Sequence, residues 1–285
     1  MSIVTCGFSS GAAPLLQMKL DLDPDWPADN SVLTCLKEGT SFEADVANVF
    51  LKVLRAGDVS VDVGANIGYL TVLAALMVGP SGHVVAFEPD PENVARLRAN
   101  LALNACTNVT VIDKPVTNQV GEVEFFINSD NSGGNALWDP GQFPGNEKCL
   151  ATPKRLVVPG TTLDAEWQQL RLPAPKVIKI DTEGAEQRVL EGMRDLLVGH
   201  QLPFVIAELH EFGLAKLGAS QESLRGFIGG LGYSTFGLTR AGALPRFIPP
   251  ATRIECPFFM NMLFSKPEWV GEYWPSVAFD PRDLR

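Results

Sequence analysis

Val61-Asp-Val-Gly-Ala-Asn-Ile-Gly-Tyr-Leu-Thr71 is the stretch on which the reading of this chain turns. A short apolar run, Val59 to Val63, leads into Gly64, and Gly68 precedes a second apolar run from Tyr69 to about Val78. The first has the length of a strand and the second that of a helix, so the glycines mark a strand-to-helix turn. Glycine there lets backbone pass close to a ligand without a Cβ collision, and the free N–H groups of a helix start can hold a polar or anionic group. Spacing narrows the choice. The dinucleotide fingerprint G-x-G-x-x-G fails, because positions 66 and 69 are Asn66 and Tyr69. The phosphate loop G-x-x-x-x-G-K-[ST] fails as well, because Tyr69 and Leu70 follow Gly68. What stands instead is Asp62 inside the strand, then Gly-x-x-x-Gly, then Glu88 closing the next apolar run, His83-Val-Val-Ala-Phe-Glu88. The two acids are 88 − 62 = 26 residues apart, close to one βαβ unit. In a parallel sheet that places Glu88 at the same carboxyl edge as the loop, where a carboxylate can accept both hydroxyls of a ribose.

Further blocks follow in order: Ala86-Phe-Glu-Pro-Asp-Pro91, Thr162-Leu-Asp164, Lys179-Ile-Asp-Thr-Glu-Gly-Ala-Glu186 and Glu208-Leu-His210. With the first stretch they resemble the S-adenosylmethionine (SAM) site of Rossmann-like methyltransferases, and more narrowly the FkbM family, over about residues 42 to 265. The resemblance implies an α/β fold of the Rossmann-like methyltransferase type. Its sheet is expected to be mostly parallel and seven-stranded, with helices on both faces and a strand-pair insertion after the third strand. SAM is the implied cofactor, and hydroxyls of sugars or secondary metabolites are the implied acceptors.

Individual positions carry expectations on this basis. Gly64, Gly68 and Glu88 form the cofactor cradle. Asp62 holds the loop amides or, through water, the ammonium of SAM, and Asn66 bonds either the loop or the amino-acid part of the cofactor. Asp113 ends the third strand, where related methyltransferases often read the adenine amino group; a turn aspartate is the plainer alternative. Asp181 and Glu183 stand at the carboxyl end of the fourth strand, beside the glycine loop. Simple capping, by Asp181 or Thr182, would need only one acid, so their clustering points to cofactor contact or proton transfer. His210 ends the fifth strand, placed either as a general base or as a partner of Glu208. No acidic or histidine cluster shows clear ligand spacing along the chain, so no metal is expected, while two carboxylates near one edge leave a divalent ion open.

The chain has 285 residues, 46% of them hydrophobic, enough for one α/β domain with a sizeable core. A formal net charge of −10 opposes nucleic acid as a partner. The five cysteines are scattered with no C-x-x-C pair, which reads as reduced thiols of a cytoplasmic protein. Met1–Phe8 lacks the basic and apolar regions of a signal peptide, and no apolar run is long enough to span a bilayer. A small-molecule acceptor is the expected partner.

Residues 1–40, rich in Pro, Asp and Gly, read as a loosely ordered or hairpin-like lead-in or cap, with the methyltransferase domain over 41–285. Ser41 is the expected N-cap of a helix through Phe42, Val46, Phe50 and Val53. Asp90-Pro91 should cap the next helix, and Ala185 to Leu197 should form one helix. Val123–Ile127 and Arg155–Val158 read as a strand pair around a long Gly/Asn/Pro-rich loop, giving a lid-like insertion over about 120–160. Methyl transfer to a hydroxyl oxygen is the expected reaction. N-methylation of a small amine, and SAM binding without turnover, are the alternatives.

Overall fold

The computed structural model describes residues 2–8, 16–200, 202–238, 244–255 and 259–277. The chain opens with a hairpin, β1 (Ser2–Phe8) paired antiparallel to β2 (Leu16–Leu22), followed by α1 (Pro27–Lys37) and α2 (Ala44–Val53). Strand and helix then alternate through β3 (Val59–Val63), α3 (Tyr69–Val78), β4 (His83–Phe87), α4 (Pro91–Leu103) and β5 (Val109–Ile112). A separate antiparallel pair, β6 (Gly121–Ile127) and β7 (Lys154–Gly160), encloses α5 (Glu147–Ala151). The core resumes with α6 (Leu163–Leu170), β8 (Val177–Ile180), α7 (Glu186–Glu191), α8 (Arg194–His200) and β9 (Phe204–Leu209). It closes with α9 (Glu211–Lys216), α10 (Gln221–Gly229), β10 (Ser234–Gly237), β11 (Arg246–Ile248), β12 (Met260–Ser265) and α11 (Pro267–Tyr273).

The main sheet has the order β11-β10-β12-β9-β8-β3-β4-β5. The five strands from β9 to β5 are parallel, while β12 runs antiparallel to β9, β10 to β12, and β11 to β10. Among the described residues the sheet has eight strands, where the resemblance implied seven. The extra strand, β11, is three residues long, too short for alternation to register. Phe258, expected to open the last strand, lies outside the described residues, as does Cys256; the four described cysteines are free thiols.

Two apolar layers cover the sheet, because its central strands are buried on both faces. Val59, Val61 and Val63 of β3 pack with α6 to α10, whereas α2, α3 and α4 cover the opposite face. α3 is buried along nearly its whole length, which accounts for its lack of a polar stripe. Order of strands reverses between β3 and β8, so their carboxyl ends open a crevice there.

Local chemistry departs from expectation at two helix starts. α2 begins at Ala44 and has no side-chain cap; Glu43, not Ser41, precedes it, with a left-handed φ of 43°. The single helix expected over Ala185–Leu197 is two, α7 and α8, broken at Gly192. A Cβ on Gly192 would lie 2.1 Å from the Thr117 carbonyl oxygen, so neighbouring backbone occupies the helix surface there. Asp164 restarts the helix by accepting Asp195 N–H and Leu196 N–H at 2.9 and 3.0 Å. Asp90 caps α4 as expected, accepting Glu92 N–H at 2.9 Å, with Pro91 in the first turn.

The first forty residues hold a hairpin and a helix that belong to the core. Met18, Leu20 and Leu22 are fully buried against the layer that contains α3 and α4. Asn104 bonds both the N–H and the carbonyl of Lys19 at 2.7 Å, and Asn100 accepts Asp21 N–H at 2.8 Å. Asp29, also fully buried, pairs with Arg96 of α4. Among the described residues no helix is long and apolar enough to cross a membrane.

This packing makes the hairpin part of one cooperative unit. Leu20→Ala is expected to cost about 2–4 kcal/mol and to lower the midpoint of a single unfolding transition. Denaturant unfolding followed by both far- and near-UV circular dichroism checks this; a separate early transition for the hairpin would show an independent unit.

Candidate active site

The loop after β3 is shaped by what crowds it. Gly64 has a φ of +83°, and a Cβ there would lie 1.7 Å from the carbonyl oxygen of Asp181 at the end of β8. No other residue fits without moving one strand. Gly64 N–H and Ala65 N–H both donate to Phe87 O, at 3.0 and 2.9 Å, tying the loop to β4. Asn66 turns the chain with a left-handed φ of 50° and donates its N–H to Glu88 Oε2 at 2.7 Å. The other oxygen of Glu88 accepts Asp90 N–H at 2.9 Å. Burial pushes the Glu88 carboxyl up to about 7, against the pull of these two N–H donors. Gly68 serves packing: a Cβ there would lie 2.4 Å from Leu97 Cδ1 of α4.

Across the crevice, Lys179 of β8 is buried among acids. Its ammonium lies 2.9 Å from Asp181 Oδ2 and 3.9 Å from Glu43 Oε2. Burial works against its charge, but Asp181, Glu43 and Asp62 outweigh burial and hold its pKa above the ordinary lysine value. Asp62, also buried, accepts the Thr71 hydroxyl at 2.5 Å through Oδ2. Its Oδ1 has no hydrogen-bond partner among the described residues.

The turn after Asp181 is held under strain. Glu183 has a left-handed φ of 55°, and Gly184, at +110°, packs so closely on Gly213 that a Cβ would lie 2.2 Å from its carbonyl carbon. Glu186, fully buried, braces this turn: its Oε1 accepts Thr182 N–H, Thr182 Oγ1 and Gly184 N–H at 3.0, 3.1 and 3.0 Å. Neither Asp181 nor Thr182 caps α7, whose first turn follows Ala185. Trp138 from the insertion donates its ring N–H to Glu183 O at 2.6 Å. The Glu183 carboxylate faces His210, with Oε2 at 3.1 Å from Nδ1. That contact lies off the ring N–H direction, and Nδ1 has no hydrogen-bond partner among the described residues. Burial opposes a charge on His210, but Glu183 outweighs it and raises the imidazole pKa above its ordinary value. One oxygen each of Glu183 and Glu208 and one nitrogen of His210 lie within 4.8 Å of one another.

These groups surround one cavity of about 680 Å³. Of the residues singled out in the sequence, Asp62, Gly64, Asn66, Glu88, Asp181 and Glu183 line it. Gly68 lies below the loop against α4, Asp113 is exposed on the surface just ahead of Lys114, and His210 stands behind Glu183 against Trp138 and Phe143. Sequence reasoning missed Glu43 and Lys179 as members of the wall. Lys179 carried a signal, a lysine inside the buried run Val177–Ile180; Glu43 carried none. Also missed was α1, whose Ala28, Ser31, Val32 and Cys35 form one side. The insertion supplies Asn131 to Gly133 and Asn135 to Leu137, with Asn135 donating to Asp90 Oδ2 at 2.8 Å.

The cavity fits a nucleoside joined to a cationic amino acid. Eight carboxylates and two lysines line it. Asp62 Oδ1, Asn66 Oδ1 and Asn93 Oδ1 are buried acceptors left without partners among the described residues. Sheet order and glycine loop together define the class of fold: a Rossmann-like α/β domain of the methyltransferase type. A model of the methyltransferase FkbM domain matches residues 62–235, more than half of the chain, and the chain belongs to that family.

The chain is similar to the hexuronic acid methyltransferase AglP of Haloferax volcanii, 28% identical over 169 residues. The alignment covers 59% of this chain and 62% of AglP, so the chain spans less than two thirds of that relative. Among solved structures, the methyltransferase FkbM from Methylobacillus flagellatus KT aligns with 82% of this chain and 58% of its own, at a TM-score of 0.44 and 15% identity. Fibrillarin from Aeropyrum pernix with bound SAM aligns with 79% of this chain and 76% of its own, at a TM-score of 0.40 and 12% identity.

Glu88 gives a pH-dependent prediction. Burial pushes its carboxyl up to about 7 in the free protein, whereas the ionised form would serve two ribose hydroxyl donors best. Affinity for S-adenosylhomocysteine (SAH) should therefore rise up to about tenfold as pH climbs from about 6 to about 8, then level off. Glu88→Gln should bind about 1.5–3 kcal/mol more weakly at high pH and lose that slope. Calorimetry of both proteins across the pH series isolates Glu88 from Glu43, whose carboxyl burial also pushes up to about 7. A slope that survives in Glu88→Gln would assign it to another group.

Proposed function

We propose that the chain transfers a methyl group to a hydroxyl oxygen of a small-molecule acceptor, a sugar or a secondary metabolite. One observation carries this reading: Asp181, Glu183 and Glu208 line the same cavity as the glycine loop and Glu88. When bound, SAM supplies a methyl group already activated on a sulfonium. What the protein adds is alignment and a place for the hydroxyl proton, since an alcohol is a poor nucleophile until that proton leaves. Asp181 is our candidate to receive it. Its carboxylate is oriented by Lys179, and its own backbone carbonyl lies against the Gly64 loop. His210 sits one side chain further out, behind Glu183. Similarity to AglP, a hexuronic acid methyltransferase, favours a sugar acid or its glycoside as the first acceptor to try. The insertion, seated on Glu183 through Trp138, is our candidate to cover both ligands.

The test is a panel of a hexuronic acid glycoside, a neutral hexose glycoside and a primary alkyl amine, each incubated with SAM. A methyl ether, located by mass spectrometry and NMR, is the expected product. Asp181→Asn should lower kcat by about a hundredfold or more while SAH affinity changes by less than about threefold. Methylation of the amine alone would replace this reading with N-methyl transfer. Undiminished turnover in Asp181→Asn would move the proton acceptor elsewhere.

A further inference from the structure

We propose that Glu183, Glu208 and His210 form a divalent-cation site at the acceptor end of the cavity. Strand topology brings them together: β8 and β9 are parallel neighbours, with Ile180 opposite Ala207, so the residues just beyond each strand share one edge. Glu183 follows β8, Glu208 is the penultimate residue of β9, and His210 follows it. Three observations make this more than a group of acids.

The first is geometric. Glu183 Oε2 and His210 Nδ1 stand 3.1 Å apart without a hydrogen bond between them. Two donors at about 2.1–2.2 Å from one ion, at right angles, are separated by about 3.0 Å. One carboxylate oxygen of Glu208 completes a set of three donor atoms that all lie within 4.8 Å of one another.

The second concerns an unpartnered group. His210 is only 7% exposed, and its Nδ1 meets the Glu183 carboxylate at 3.1 Å without an aligned hydrogen bond. A buried ring nitrogen of that kind needs an explanation, and a metal ion supplies one.

The third is preorganisation. Glu183 is held by its strained backbone, by Trp138 on its carbonyl and by Gly184 against Gly213, and Trp138 and Phe143 flank the His210 ring. Two carboxylates and one imidazole suit a cation of Mn²⁺ character, and a dication cancels the charge of the two acids. Glu183 and Glu208 line the cavity while His210 does not, so the open coordination positions face inward. There they would take water or adjacent oxygens of the acceptor. That last statement rests on the reading of the cavity's function given above; the cation site itself does not.

The test uses the full chain and Mn²⁺ as probe. Electron paramagnetic resonance should show one Mn²⁺ bound per chain, with nitrogen coupling from a single imidazole in the pulsed spectrum. Glu208→Gln and His210→Ala should each weaken Mn²⁺ binding by about tenfold or more, and His210→Ala should also lose the nitrogen coupling. SAH binding, measured on the same samples, reports folding and the integrity of the cofactor site. Competition with Mg²⁺ and Zn²⁺ ranks the physiological ion. No stoichiometric Mn²⁺, or Mn²⁺ bound by the wild-type chain without nitrogen coupling, overturns the site even if both variants fail to fold. Mn²⁺ binding without methyl transfer to any hydroxyl acceptor would keep the site and reject the proposed function.

Discussion

A single ammonium holds the acidic end of the cavity together. Lys179, with its side chain 4% exposed, faces Asp181, Glu43 and Asp62, three carboxylates from three segments far apart in sequence. Without that charge the three acids would repel one another in a medium where charge is poorly screened. Removing one member of such a buried set generally costs about 3–5 kcal/mol, because the remaining charges are left uncompensated. The pairing also fixes geometry. It draws the start of α2 toward β8, consistent with the left-handed turn at Glu43, and it directs the Asp181 carboxylate along the cavity wall.

Around that charge centre the backbone is packed to contact. Asp181 O abuts Gly64, and Gly184 abuts Gly213, so the loops after β3, β8 and β9 form one interlocked rim. Rigidity at this rim matters for methyl transfer, since in-line alignment is the main contribution a protein can make when the methyl group is already activated. Strain at Glu183 is over-determined by its neighbours: Glu186 from below, Trp138 from the insertion and Gly213 from α9. Backbone strain of this kind persists only where surrounding structure enforces it.

Much of this was legible in the sequence, for identifiable reasons. The β3–α3 turn announced itself because glycines with positive φ leave a spacing pattern, and the pairing with Glu88 followed from the length of one βαβ unit. The strand pair β6–β7 was visible from alternation, and the cap at Asp90 from Asp-Pro. Other features left no local trace. The break at Gly192 is set by the carbonyl of Thr117, a tertiary contact that helical periodicity cannot register. Glu43 carried no signal, and only the fold brings it to Lys179. Glu183, Glu208 and His210 have no ligand spacing along the chain because they come from two strands, so their convergence is a property of the sheet.

The N-terminal segment and the insertion give the cavity its walls. A bare parallel sheet offers only a crevice at its carboxyl edge. Here α1 walls one side, fixed by the buried Asp29–Arg96 pair, and the insertion roofs another through Asn135 on Asp90 and Trp138 on Glu183. Both additions bring almost no basic groups to the wall, so its field stays negative despite Lys114 and Lys179. A negative wall favours a sulfonium and an ammonium at one end. The same field opposes an anionic acceptor at the other end, unless positive charge is supplied where Glu183 and Glu208 meet. On the proposed reading, electrostatics ties the two ends together: the acidity that suits the cofactor is what would make a cation at the acceptor end useful.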